Sequence, residues 1–230
     1  MKISTDFNKR VVIHSESLNW LASPMVGVER KPLDRVGEEV ARATTIVRYA
    51  PDSTFSPHIH TGGEEFFILD GVFQDEHGDY PSGSYVRNPP QSSHSPGSKV
   101  GCIMFVKLWQ FQPEDRTHIR LQTNKMAPVE LANHSGISIT PLYKDHIEEV
   151  SLIQLLPNAT VNWGMPKGAE LLILEGSLQE QEDLLEKYDW LRLPVNSKIH
   201  AKAGSQGTKF WLKTGYLTDV DNQIAQLQTV

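Results

Sequence analysis

The amino-acid sequence predicts an all-β protein built from two tandem β-barrels. Three observations lead there. Short runs rich in β-branched and aromatic residues recur between Gly and Pro turns, long helical periodicity is nearly absent, and one pattern of such runs occurs twice at a fixed offset.

The strand-length runs of the first copy are residues 44–49, 65–69, 85–88 and 102–108. Many short strands separated by turns make a barrel or a sandwich. Two segments stand apart from this pattern. Residues 181–187 fit either a short helix or a strand, and residues 222–230 fit a tail or a short helix.

The repeat is carried by four matches in order. Phe66-Phe67-Ile68-Leu69-Asp70-Gly71-Val72-Phe73 parallels Leu171-Leu172-Ile173-Leu174-Glu175-Gly176-Ser177-Leu178, each preceded by an acid, Glu65 and Glu170. Ala50-Pro51-Asp52-Ser53-Thr54 parallels Leu156-Pro157-Asn158-Ala159-Thr160 upstream. Tyr85-Val86-Arg87-Asn88-Pro89 parallels Trp190-Leu191-Arg192-Leu193-Pro194, and Phe105-Val106-Lys107 parallels Trp211-Leu212-Lys213. The shared offset is 105 or 106 residues (Phe66 to Leu171, Ala50 to Leu156). Two domains are therefore expected, 1–121 and 122–230, joined by a polar linker at 122–129 that contains Pro128.

Composition narrows the function classes. The 230 residues are 39% apolar and 22% charged, enough to build packed cores without disulfides. The net charge is −6 and no stripe of Lys and Arg occurs, which argues against direct binding of nucleic acid. No apolar run approaches the roughly 18 residues of a membrane span. Residues 1–10 mix charges and lack the apolar stretch of a signal peptide. Cys102 is the single cysteine, so no internal disulfide forms, and a cytoplasmic location is expected.

The chemistry concentrates in His58-Ile59-His60-Thr61-Gly62-Gly63-Glu64. Residues two apart on a strand share a face, so His58 and His60 can aim two imidazoles at one point. The glycine turn can return a carboxylate from Glu64 to that point, and His94 can complete the set from an adjacent strand. Three imidazoles and a carboxylate suit Zn, Fe, Mn, Ni or Cu. A closed tetrahedron would favour structural or sensory zinc; an octahedron with two open positions would favour iron and O₂ chemistry. The competing account is a pair of surface histidines on an edge strand, and Glu65 competes with Glu64 as the carboxylate.

His58-x-His60-x₃-Glu64-x₆-Gly71 resembles the first cupin motif, and Pro81-x-Gly83 with His94 resembles the second at a longer spacing. The resemblance implies Glu64 rather than Glu65 as the carboxylate, through the spacing from Glu64 to Gly71. A narrower resemblance runs through Gly63-Glu64-Glu65-Phe66, Leu69-Asp70-Gly71-Val72-Phe73-Gln74-Asp75-Glu76-x-Gly78-x-Tyr80-Pro81-x-Gly83-x-Tyr85-x-Arg87-x-Pro89 and Ser93-His94. This stretch is similar to the cupin-like domain of ChrR-type anti-sigma factors, and the match covers about residues 20–111. The resemblance implies a bicupin of two jelly-roll barrels (double-stranded β-helices) and one divalent metal per chain, zinc first among Zn, Fe, Mn and Ni. It also implies a role in sensing oxidative stress.

Two departures limit what carries over. The N-terminal helical zinc domain through which those factors bind sigma factors has no counterpart here, so sigma-factor inhibition does not follow. The second repeat reads Asn162-Trp163-Gly164-Met165-Pro166-Lys167-Gly168-Ala169 where the first has its ligands, and His200 stands alone near the His94 equivalent. It is expected to be metal-free.

Among other residues, Tyr85 and Arg87 share a strand face and could line the pocket, or Arg87 could pair with Asp75 or Glu76. Asp75-Glu76-x-Gly78 reads as a turn with solvated acids. Cys102 reads as a small buried hydrophobe, with a redox-responsive thiol as the alternative. Trp109, Trp163, Trp190 and Trp211 read as core or repeat-contact residues, and His14, His77, His118, His134 and His146 as exposed.

Three functional expectations follow. The first is a zinc-containing sensor or regulatory module with a protein partner or a small molecule in the barrel. The second is a non-haem iron dioxygenase, similar to the acetylacetone-cleaving enzymes, acting on a diketone or hydroxy-ketone. The third is a structural bicupin whose metal supports the fold. An exposed edge strand could support a homodimer.

Overall fold

The computed structural model describes residues 1–38, 40–132 and 134–227. These form two compact units. The first comprises Met1–Thr5, Asn19–Lys125 and the segment from Asp221 onward; the second comprises Asp6–Leu18 and Met126–Val220. The division differs from a cut between residues 121 and 122, because a short segment from each end of the chain joins the other repeat's unit.

In the first unit the main sheet runs in the order Lys2–Ile3, Val28–Gly37, Ala41–Tyr49, Cys102–Leu108, Glu64–Asp75, Ser84–Asn88, Ile119–Gln122. The second repeats it as Val129–Glu130, Ile137–Lys144, Glu149–Leu155, Ser197–Thr214, Ala169–Glu180, Trp190–Leu193, Val11–Ile13. Neighbouring strands in both are antiparallel. The last position is filled differently. In the first unit it is taken by residues that follow the repeat, and in the second by Val11–Ile13, which pairs with Trp190–Leu193.

The long strands serve two sheet layers. The first half of Glu64–Asp75 pairs with Ser84–Asn88 and Cys102–Leu108; its end pairs with Gly78–Pro81 and Gly97–Ser98. The change of layer occurs at a bulge beside Gly71, where φ is +70° and a Cβ would stand 2.1 Å from the Gly101 carbonyl oxygen. Gly176 makes the same bend against Gly207 with the same φ of +70°. A glycine in the same place of both repeats thus turns a flat ribbon into a barrel wall.

Alternation along these strands sorts the side chains. Phe66, Ile68, Phe73, Val86, Met104 and Val106 fill the first barrel. Ile173, Leu178, Leu191 and Phe210 belong to the larger core of the second. Residues 183–185 form a strand against Leu178–Glu180, which settles the ambiguity of 181–187. Val220–Gln226 is a helix, tied to the first unit by Arg42 Nε donating to Gln223 Oε1 at 2.9 Å; residues 228–230 lie outside the described residues. The expected linker begins as ordered structure: Gln122 ends a strand, and Thr123 bonds twice to the Gly83 carbonyl. Among the described residues, no helix is long and apolar enough to cross a membrane.

Candidate metal centre

The site begins with a two-stranded ribbon. His58–Ile59 pairs with Ser93–His94, so that His94 stands directly opposite His58. The ladder continues past the assigned strand, because His60 N–H donates to the Ser92 carbonyl at 2.8 Å. His58, His60, Ser92 and His94 therefore share one face.

The turn that follows explains the glycines. Gly63 adopts φ +78°, and a Cβ there would lie 2.5 Å from the Phe111 ring. A Cβ on Gly62 would lie 2.0 Å from Trp109. The two aromatic rings close on bare backbone, and the chain reverses tightly enough to bring Glu64 back over the ribbon.

Three imidazoles converge, with the Glu64 carboxylate beside two of them. One ring nitrogen from each of His58, His60 and His94 lies within 4.8 Å of the others, so the three histidines could hold a metal ion. His60 Nε2 is 3.2 Å from His94 Nε2 and 3.3 Å from Glu64 Oε2. His94 Nε2 is 3.6 Å from Glu64 Oε2. Ligands about 2.1 Å from a common ion stand roughly 3.0 Å apart at a right angle and 3.4 Å apart at the tetrahedral angle. The spacings among His60, His94 and Glu64, 3.2 to 3.6 Å, lie close to these values. His60 and His94 are buried, which excludes a surface pair on an edge strand, while His58 is exposed and marks the open side.

The opposite nitrogens of these rings face acceptors. Ser92 Oγ donates its proton to the Pro89 carbonyl at 2.6 Å, so it must accept from His60 Nδ1, 3.1 Å away. His58 Nδ1 lies 3.5 Å from the Ser56 carbonyl oxygen. His94 Nδ1 lies 3.4 Å from Asp75 Oδ2, a charge-pair distance, and has no tighter hydrogen bond. The three Nδ1 atoms thus lie toward oxygen atoms of Ser92, Ser56 and Asp75, leaving Nε2 as the opposite nitrogen of each ring.

The electrostatics follow the surroundings. Burial pushes the His60 pKa down, against the pull of Glu64. Burial opposes charge on His94 too, but its contact with Asp75 and the charge of Glu64 outweigh it, so the His94 pKa rises. Burial would raise Asp75; contacts from His94, the His77 N–H and Tyr80 overcome this and hold it below the usual carboxylate range.

Several expectations are corrected here. Asp75 is no solvated turn acid: its side chain is 2% exposed and faces His94. Glu76 is exposed, yet it accepts the Ser95 N–H at 2.8 Å, next to His94. Tyr85 and Arg87 do not line the site. Val86 points into the barrel, so its neighbours point out, where Tyr85 donates to Glu65 Oε1 at 2.5 Å. Arg87 lies 3.5 Å from Glu65 and 2.9 Å from Asp115, rather than pairing with Asp75 or Glu76, and stacks on Phe111 at 4.3 Å. Glu65 is thus a barrel-exterior residue. Sequence reasoning missed Ser92, Asp75 as a partner of His94, and Asn88, whose Nδ2 lies 3.4 Å from Glu64 Oε2. The signal for Asp75 is its alternation with Phe73 once the bulge at Gly71 is counted. Cys102 packs in the barrel core, and burial pushes its thiol up to about 11. His14, His77, His118, His134 and His146 are exposed.

The second barrel keeps the ribbon and loses the ligands. His200 pairs with Asn162 as His94 pairs with His58, but both side chains face outward. Val161, Met165, Ile199 and Ala201 point inward instead, with Trp163 packed against them. Ala169 stands where Glu64 does.

These topologies match known folds. A crystal structure of a candidate dioxygenase from Nostoc punctiforme superposes with a TM-score of 0.73 at 15% identity, covering 89% of this chain and 82% of that one. Oxalate decarboxylase from Lactobacillus farciminis, in its formate complex, gives 0.63 at 11% identity over 93% and 88%. A cupin 2 conserved barrel domain protein from Leptotrichia buccalis gives 0.60 at 11% identity over 94% and 100%. Residues 8–112 match the family model of the ChrR cupin-like domain. The chain is a cupin by fold. Comparison with curated proteins yields no match. The family match ends at residue 112, so the cupin fold of the second barrel rests on the structural likeness and the internal repeat.

Proposed function

We propose that the first barrel binds one divalent metal ion through His58, His60, Glu64 and His94. The observation that carries this reading is the convergence of one ring nitrogen from each of His58, His60 and His94, with the Glu64 carboxylate beside two of them. Ring nitrogens and a carboxylate gathered this closely repel one another where their lone pairs face, and a bound cation relieves that repulsion. A bound ion would act as a Lewis acid toward a ligand entering beside exposed His58. The protein's own part is to fix the ring orientations through Ser92 and Asp75, and to exclude water on the buried side with Phe73, whose ring lies 5.6 Å from His94.

Zinc is the metal of this reading, and sensing or regulation is the role. The match of residues 8–112 to the ChrR cupin-like domain supports both. The partner would be a protein or a small molecule at the open side. A second reading, a non-haem iron dioxygenase, is favoured by the exposure of His58, which leaves room for substrate and O₂.

The deciding experiment is elemental analysis of protein purified without a metal-affinity tag, with oxygen uptake measured against β-diketones. About one zinc per chain, lost in a folded His60→Ala variant and without uptake, supports the regulatory reading. About one iron, with uptake abolished by His94→Ala, supports the dioxygenase. A folded protein that takes up no divalent ion refutes both.

A further inference from the structure

A polar chain leads from the barrel surface to His94. Arg120 Nε donates to the Tyr80 hydroxyl at 3.0 Å. The Tyr80 hydroxyl donates to Asp75 Oδ1 at 3.1 Å, and the His77 N–H donates to the same oxygen at 2.8 Å. The other carboxylate oxygen, Oδ2, faces His94 Nδ1 at 3.4 Å. Arg120 is exposed and lies beyond the stretch that matches the family model.

The second barrel supplies an internal comparison. Glu180 ends its long strand as Asp75 ends the first. Arg10, beside that unit's edge strand, binds Glu180 directly, with Nε and Nη2 at 3.0 and 2.5 Å from Oε2. Leu185 occupies the place of Tyr80, opposite Leu178 as Tyr80 is opposite Phe73. An arginine near the edge strand serves the strand-end acid in both barrels. A tyrosine stands between them only where the acid also faces an inward histidine.

We propose that Arg120, Tyr80 and Asp75 form a positioning relay that orients the His94 ring and sets how strongly its Nε2 binds the ion. The inference rests on the metal reading above. Tyr80 fixes one carboxylate oxygen as its acceptor, which leaves the other aimed at the ring. Arg120 polarises the phenol, so Tyr80 donates more strongly and draws negative charge toward Oδ1. Neither Tyr80 nor Arg120 touches a candidate ligand atom; both act through Asp75.

The test is titration of the metal-free full chain with Co²⁺, recording affinity and the visible absorption of the bound ion. Tyr80→Phe keeps the ring in the core and removes the relay. It should weaken Co²⁺ binding roughly tenfold or more and shift the absorption bands, with the melting temperature of the metal-free protein nearly unchanged. Arg120→Met should act in the same direction by less, and Arg120→Lys should recover part of the loss. Wild-type affinity and spectrum in both Tyr80→Phe and Arg120→Met would overturn the relay while leaving the metal site intact. Failure of the wild type to bind Co²⁺ would overturn the metal reading, and the relay with it.

Discussion

Ser92 Oγ lies 3.1 Å from His60 Nδ1 and has already committed its own proton to Pro89. The serine therefore sets the tautomer of the most centrally placed histidine. Ser92→Ala should weaken zinc binding about tenfold in competition with a chelator, without altering the melting of the metal-free protein. Ser92→Thr should restore most of the affinity.

Adjacent acids should fail in opposite ways. Glu64 faces two histidines, whereas Glu65 is buried on the other face with Tyr85 and Arg87. Glu64→Gln should lower metal affinity and leave stability nearly unchanged. Glu65→Gln should cost about 2 kcal/mol in urea unfolding of the metal-free protein, because it removes the buried carboxylate that accepts from Tyr85 and faces Arg87. Equal stability losses in both would contradict this assignment of faces.

Gly62 has no room for a methyl group against Trp109, whereas a Cβ on Gly164 in the second barrel meets nothing within 4 Å. Gly62→Ala should destabilise by about 2 kcal/mol through overpacking and reduce metal content. Gly164→Ala should be close to neutral. Thermal melting and elemental analysis check both.

Cys102 should be inert at neutral pH. Its thiol is pushed up to about 11 by burial, so at pH 8 roughly one molecule in a thousand carries the thiolate. Iodoacetamide labelling of the folded protein should therefore rise toward pH 11 rather than level off near 9. Rapid labelling at pH 7 would show that the thiol is not enclosed.

The two-residue spacing of His58 and His60, the glycine turn and the internal repeat were legible in the sequence because each is a local pattern. Nothing local in the sequence decides which face Tyr85 and Arg87 occupy. Strand alternation groups them together, but the pairing of Val86 with Phe66 decides which face is inward, and a one-residue slip reverses it. Asp75 was hidden by the bulge at Gly71, which resets the alternation between Ile68 and Phe73. His200 kept its pairing partner and lost its orientation, which sequence alignment alone does not reveal.

Val11–Ile13 completes the edge of the second barrel's sheet by pairing with Trp190–Leu193. During synthesis that strand emerges long before Trp190–Leu193 and must wait for the intervening chain before its partner exists. Loop closure over such a separation is slow, and an unpaired strand is open to wrong partners meanwhile. The first barrel's own main-sheet strands are complete by Gln122, well before then. The main sheet around the three histidines can thus form on the ribosome, while the second barrel's sheet closes only after its last strands have been made.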